Sequence, residues 1–294
     1  MHMKNVNGVI KLKFSVFTVG TPDYNLEETV KKLKEYGYDG VEWRIGTSLK
    51  ADPEVIPPRD RWFWEYNKST VEVNTILESA GEIKKVCERE GIEIAALATY
   101  IAPSDVDRIE KVLQAAVIME CPKIRVAMPI YNGKENYREL FDKTKKEIKI
   151  LEALAARYEV KVNFEIHHGT IIPSASAAYR LVEGLKPQYI GIIYDGGNMI
   201  HEGLEQHKMG FEILGQYLDH VHIKNAAWLK DHNGWKCGWS TLENGQVNFK
   251  TQLSALKAVG YDGYLSFEDF SCEKTTDEKL KENLKFIKNI LSEI

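Results

Sequence analysis

Short β-rich runs alternate with amphipathic helical stretches from one end of the chain to the other, and this regular alternation most restricts the fold. The strand candidates are residues 12–20 (LKFSVFTVG), 40–45 (GVEWRI), 92–100, 123–129, 160–167 (VKVNFEIH), 189–195 (YIGIIYD), 220–225 (HVHIKN) and 263–270 (GYLSFEDF). Between them, stretches such as NLEETVKKLKEYG, DVDRIEKVLQAAVIME and NFKTQLSALKAVG carry apolar residues at three- and four-residue spacing, the signature of a helix with one buried face. Asn25, Asn74, Asp105 and Asn248 stand where a helix N-cap belongs, and Gly37, Gly91 and Gly260 where a left-handed C-terminal residue belongs. Eight βα units with no linker and no shift in composition predict an α/β chain forming a single (β/α)8 TIM barrel over residues 1–294, in preference to a doubly wound sheet.

Composition narrows the function classes. With 44% hydrophobic and 28% charged residues the chain can bury a large core. A net charge of −4 offers no basic field for neutralising phosphates, so a small-molecule ligand is expected and nucleic acid is not. No apolar run approaches the ~20 residues of a membrane span. The first residues, MHMKNVNGVIKLKFSV, lack a signal-peptide core, so a cytoplasmic location without membrane attachment is expected. Cys87, Cys121, Cys237 and Cys272 have no paired spacing and are read as reduced and structural.

Two connections are longer than barrel packing needs, and both follow strands, which puts them on the face where barrel active sites lie. Residues 46–73 contain PPRDRWFWEYN, with Trp62, Phe63, Trp64 and Tyr66 close together; residues 226–247 contain WLKDHNGWKCGW. So many aromatic rings are expected to cover either a bound ligand or a neighbouring copy of the chain in a homodimer or tetramer. The second segment is expected to form a lid or rim.

Strand parity then separates helix-facing from barrel-facing side chains. In 160–167 the apolar set Val160, Val162, Phe164 and Ile166 must face helices, which leaves Asn163, Glu165 and His167 inward. The same rule turns Asp195, then His220, His222 and Lys224, then Ser266 and Glu268 inward on the next three strands. Four adjacent strands therefore each deliver one ionisable group near the C-terminal mouth: Glu165, Asp195, His222 and Glu268. Three buried carboxylates would repel one another, and a divalent cation is the simplest compensation. Three oxygens and one imidazole, without thiolate, suit Mn²⁺, Mg²⁺ or Co²⁺, and Zn²⁺ is admitted. Glu42 and Arg44 also face inward, either to meet substrate or to form an interior ion pair, whereas Arg125 is expected to pair low in the barrel.

With NFEIHHG, YDGGN, HVHIKN and GYDGYLSFEDF in place, the chain resembles the sugar phosphate isomerase/epimerase superfamily of xylose isomerase-like barrels over nearly its whole length. The resemblance implies that Glu165, Asp195, His222 and Glu268 hold one catalytic metal. It further implies that Glu165 and Glu268 move protons at a carbon beside a substrate carbonyl, through an enediolate. Sugar isomerisation or epimerisation follows from that chemistry; dehydration of a cyclic polyol ketone such as an inosose is the alternative, and a non-catalytic sugar-binding barrel the second. Contacts to a sugar or polyol are expected from His167, His168, Asn198, Lys224, Glu42, Arg44 and Trp62, with one of the two histidines either acting as an acid or orienting Glu165. Asn198 stands where many members of the superfamily have histidine. The DNA-repair branch, which needs further histidines on earlier strands, is not matched by VEWRI or LATYIA.

Overall fold

The computed structural model describes residues 12–49 and 59–294. The β-branched and apolar runs form β1 (Lys13–Phe17), β2 (Gly40–Gly46), β3 (Val71–Glu72), β4 (Glu93–Thr99), β5 (Lys123–Val126), β6 (Lys161–Glu165), β7 (Ile190–Asp195), β8 (Leu218–Ile223), β9 (Asn225–Asp231), β10 (Gly234–Ser240) and β11 (Tyr264–Phe267). Eight of these pair in parallel in the order β1, β2, β4, β5, β6, β7, β8, β11, and β1 closes the ring by pairing with both β2 and β11. The helices are α1 (Leu26–Tyr36), α2 (Arg59–Trp62), α3 (Ile76–Glu90), α4 (Val106–Ile118), α5 (Tyr137–Tyr158), α6 (Ala175–Val182), α7 (Gly196–His201), α8 (His207–Leu214), α9 (Phe249–Ala258) and α10 (Thr276–Glu293). One helix of the outer ring follows each barrel strand, as a (β/α)8 barrel requires. Among the described residues no helix is long and apolar enough to cross a membrane.

Local chemistry explains the element ends. Asn25 accepts from the Glu28 N–H while Glu28 reaches back to the Asn25 N–H, a capping box that starts α1, and Gly37 ends that helix in the left-handed region. Asp105 and Asn248 cap α4 and α9 as expected. Asn74 does not cap α3: it lies in a 3-10 turn over Val73–Thr75, and Thr75 takes the cap position without a side-chain bond.

Val162, Phe164 and Ile166, with Ile190, Ile192, Tyr194, Val221, Ile223 and Leu265, are buried in the main core between sheet and helices, as parity requires. The barrel interior is polar. At its N-terminal end Asp219 pairs with Lys123 and Lys161, each at 2.7 Å, and accepts from Asn163 at 2.8 Å. Gly191 makes room for this cluster, because a Cβ there would lie 2.4 Å from Asn163 Oδ1.

Both long connections fold onto the C-terminal face. In the first, residues 50–58 lie outside the described residues, as do residues 1–11 on which the signal-peptide expectation rests. The remainder is tied down by Asn67, whose amide donates to the carbonyls of Thr18, Val19 and Phe63, and Phe63 is buried against Phe17, Val19, Ala98 and Phe270. The second, expected as a lid or rim, is an antiparallel hairpin of β9 and β10 in which Asp231 pairs with Gly234 around His232 and Asn233. Gly234 takes φ 116° and Asp231 accepts from the Asn233 N–H at 2.7 Å, so turn chemistry shapes the tip.

Candidate metal centre

The last residues of β6 and β7, the inward histidine of β8 and the residue just after β11 converge. One ligating atom from each of Glu165, Asp195, His222 and Glu268 lies within 4.8 Å of all the others, and all four side chains are buried. His222 Nδ1 is 3.0 Å from Glu165 Oε1, 3.7 Å from Asp195 Oδ2 and 3.6 Å from Glu268 Oε2. Asp195 also N-caps α7, accepting from the Asn198 N–H at 2.8 Å, so the turn DGGN fixes one of its oxygens by backbone geometry.

Outer partners orient each of these groups. Arg125 Nη1 donates to Glu165 Oε2 at 2.6 Å. Its guanidinium lies between the Phe17 and Tyr100 rings, 5.0 and 4.8 Å from their centroids. Arg125 is thus an interior ion pair, but at the mouth, not low in the barrel as expected. Asn198 Nδ2 donates to Asp195 Oδ2 at 2.8 Å and Glu165 Oε1 at 3.2 Å. Lys224 Nζ lies 2.7 Å from Glu268 Oε2 and 3.4 Å from Asp195 Oδ2. The ammonium is thus the charged partner of that buried carboxylate oxygen.

The electrostatics follow from this crowding. Burial works against the charged form of every group here. For Glu42 it is overridden by the His222 and His220 imidazoles, and for Glu165 by Arg125 and His222, so both carboxyls are held well below the usual range. For Glu268 burial, together with the nearby Glu165 and Asp195 carboxylates, prevails over Lys224 and His222 and carries the group up to about 7. Three buried carboxylates around one imidazole make a donor set that fits one divalent cation of the Mg²⁺, Mn²⁺ or Co²⁺ type.

A cavity of about 170 Å³ opens beside the cluster, lined among others by Arg125, Glu165, His167, Glu268, Trp64 and Tyr100. Of the seven expected contact residues His167 lines this cavity; His168, Asn198 and Lys224 adjoin the cluster without lining it, and Glu42, Arg44 and Trp62 lie elsewhere. Glu42 is fully buried beneath His222, with its carboxylate against His220 and Ser266. Arg44 is tied to Thr70 and the Thr47 carbonyl and stacks on Tyr100, behind the cavity wall. Trp62 does not line the cavity; Trp64, two residues on, does. Parity assigns a side chain to a face but not to a depth, which is why Glu42 and Arg44 were not separable from groups at the mouth.

His167 and His168 do not hydrogen-bond to Glu165. His167 Nδ1 meets the His168 carbonyl at 2.7 Å, and His168 Nδ1 meets Asn198 Oδ1 at 3.2 Å. His167 and His168, His168 and His201, and His201 and Trp239 form a row of rings with centroids 4.4, 4.0 and 4.8 Å apart. Burial lowers the imidazoles of His167, His168 and His201, the last to about 4, so the row is neutral. Trp239, at the base of the hairpin, also covers Lys224 with its Nζ 4.3 Å from the ring centroid. His201 and Trp239 were invisible to strand parity because neither lies on a barrel strand.

A family model described as the xylose isomerase-like TIM barrel matches residues 30–290. An inosose dehydratase of Geobacillus thermodenitrificans is 28% identical over 129 residues, covering 39% of this chain and 42% of that protein, so the match spans less than half of that relative. An uncharacterized protein of Methanocaldococcus jannaschii is 20% identical over 99% of this chain and 95% of its own. The fold is shared with 3-keto-D-glucoside 4-epimerase from E. coli, at TM-score 0.70 and 18% identity, covering 95% of this chain and 100% of that one. It is also shared with a barrel protein from Mycobacterium smegmatis crystallised with magnesium, at TM-score 0.66 and 15% identity, covering 96% and 97%. A closed eight-stranded barrel and a family match over most of its length agree: the chain belongs to the xylose isomerase-like TIM-barrel family.

Proposed function

We propose that the protein is a divalent-metal-dependent isomerase or epimerase of a sugar or sugar derivative, moving a proton on a carbon next to a carbonyl. The observation that carries this reading is the division of labour within the cluster: Glu165 and Glu268 both line the cavity, whereas Asp195 and His222 do not. Two carboxylates reach the ligand space and two groups only support them. A pure binding barrel has no use for the first pair.

A divalent cation held by Glu165, Asp195, His222 and Glu268 would supply Lewis-acid polarisation of the substrate carbonyl, which acidifies the adjoining C–H. The chain's own groups handle the proton. Glu165, paired with Arg125, and Glu268, beside Lys224, both face the cavity, so one can remove the proton and the other return it. The Trp64 and Tyr100 rings and the apolar wall from Val126 to Met128 offer surface to the C–H faces of a ligand, and a cavity of about 170 Å³ suits one ring better than a chain of sugar units.

Dehydration of a cyclic polyol ketone is the second reading, supported by the likeness to an inosose dehydratase and by His167 on the cavity wall. Its Nδ1–H is given to the His168 carbonyl, so Nε2 carries a lone pair and serves this reading as a base that takes the proton from carbon and passes it on to the departing hydroxyl. Incubating the Mn²⁺- or Mg²⁺-loaded protein in D₂O with a panel of ketoses and cyclic polyol ketones separates the readings by NMR. Deuterium beside the carbonyl with a new stereoisomer supports isomerisation or epimerisation. Loss of water supports dehydration, and binding without exchange across the panel would sink both.

A further inference from the structure

Beneath the cluster lies a second group of ligating side chains, Glu42, His220 and His222, with one ligating atom from each again within 4.8 Å of the others. It shares His222 with the upper group and comes from the other side of the barrel, since Glu42 is on β2. Its chemistry is that of a satisfied carboxylate. Glu42 Oε2 meets His220 Nε2 at 3.0 Å, His222 Nε2 at 3.2 Å and the Ser266 hydroxyl at 2.7 Å. Three donors converge on this one oxygen, and Oε1 meets His222 Nε2 again at 3.3 Å. An imidazole carries one ring proton when neutral; with Nε2–H given to Glu42, a cation among Glu165, Asp195 and Glu268 would take the Nδ1 lone pair, in place of the hydrogen bond that Nδ1 makes with Glu165 Oε1 at 3.0 Å. The Phe17 ring stacks on the imidazole, 5.7 Å between centroids at 24°, and fixes the ring plane.

We propose that Glu42 is a positioning residue: it holds His222 in the Nε2–H tautomer and aims Nδ1 at the metal site, without touching substrate. The proposal rests on the metal-dependent reading above. Outer carboxylates that orient a ligating histidine are generally worth about 10–100-fold in metal affinity. Glu42 also joins the histidine to His220 and Ser266.

Two measurements test it, neither relying on turnover. In the unmodified protein saturated with diamagnetic Mg²⁺, long-range ¹H–¹⁵N NMR should show His222 with a protonated Nε2 and an unprotonated Nδ1; the opposite tautomer, or a doubly protonated ring, would overturn the proposal whether or not any variant folds. In Glu42→Gln, Mn²⁺ affinity read from the EPR signal of the free ion should fall about 10–100-fold, and the Nε2–H assignment should be lost or mixed. Unchanged affinity and tautomer in that variant would leave the metal centre standing and remove Glu42 from it. Failure of the unmodified protein to bind any divalent cation would instead remove the metal reading itself, and this proposal with it.

Discussion

At the residue scale the site is a set of charges that cannot be changed singly without consequence. Arg125 and Glu165 are both nearly excluded from solvent and meet at 2.6 Å. Removing one member of such a pair strands the other, so Arg125→Met should destabilise by roughly 3–5 kcal/mol in urea unfolding, and Arg125→Met with Glu165→Gln should cost less than the sum of the two single changes. Glu165→Gln and Glu268→Gln keep shape while removing the ionisable group. Each should lower turnover by about 10²–10⁴-fold, read as product formation by NMR, while circular dichroism of the folded protein is unchanged. The residues of the cluster were legible in the sequence because strand parity and position at a strand end together fix direction and height for Glu165, Asp195 and His222. Their partners were less so: Arg125 reaches up from the middle of β5 on a long side chain, which no periodicity reports.

At the element scale two short pieces shape the mouth. Helix α7 leaves β7 directly, and Gly197 within it packs so closely on the residue between β8 and β9 that a Cβ would lie 2.8 Å from the carbon and oxygen of the Lys224 carbonyl. Gly197→Ala should therefore push α7 away from Lys224 and cost about 1–3 kcal/mol, measurable by thermal unfolding. Helix α8 carries a pH-sensitive contact. His207 Nδ1 meets the Tyr194 hydroxyl at 2.8 Å, and burial lowers its imidazole to about 4. Because the folded value lies below the ~6.5 of an unfolded histidine, the contribution is fully present above about pH 6.5 and is lost as pH falls toward 4. Moving from about pH 7 to pH 5 should cost the unmodified protein roughly 2 kcal/mol more than His207→Gln, as measured by urea unfolding at the two pH values. The hairpin escaped a reading based on barrel periodicity because it belongs to a connection, although its Asn-Gly turn signal is present at Asn233 and Gly234. Its exposed Leu229 and Trp235, 68% and 65% accessible, were read only as part of an aromatic segment.

At the scale of the whole molecule the barrel is a stack of polar layers inside an apolar sleeve. Asp219 with Lys123 and Lys161 occupies the N-terminal end, Glu42 with His220 and Ser266 the middle, and the four-residue cluster the C-terminal mouth. The sleeve was legible in outline because eight apolar runs and eight intervening helices repeat at barrel spacing. The layers were not, because depth inside the barrel depends on the stagger between strands, which only the register between neighbours reveals. That stagger sets Asp195 opposite His222 and Ser266 opposite the same histidine, and so brings three strands to one imidazole. The central claim is that this convergence holds one divalent cation. Crystals equilibrated with Mn²⁺ and measured at the manganese absorption edge test it most directly. A single anomalous peak enclosed by Glu165, Asp195, His222 Nδ1 and Glu268 is the predicted result. No peak there at saturating Mn²⁺, or a peak instead among Glu42, His220 and His222 Nε2, would contradict it.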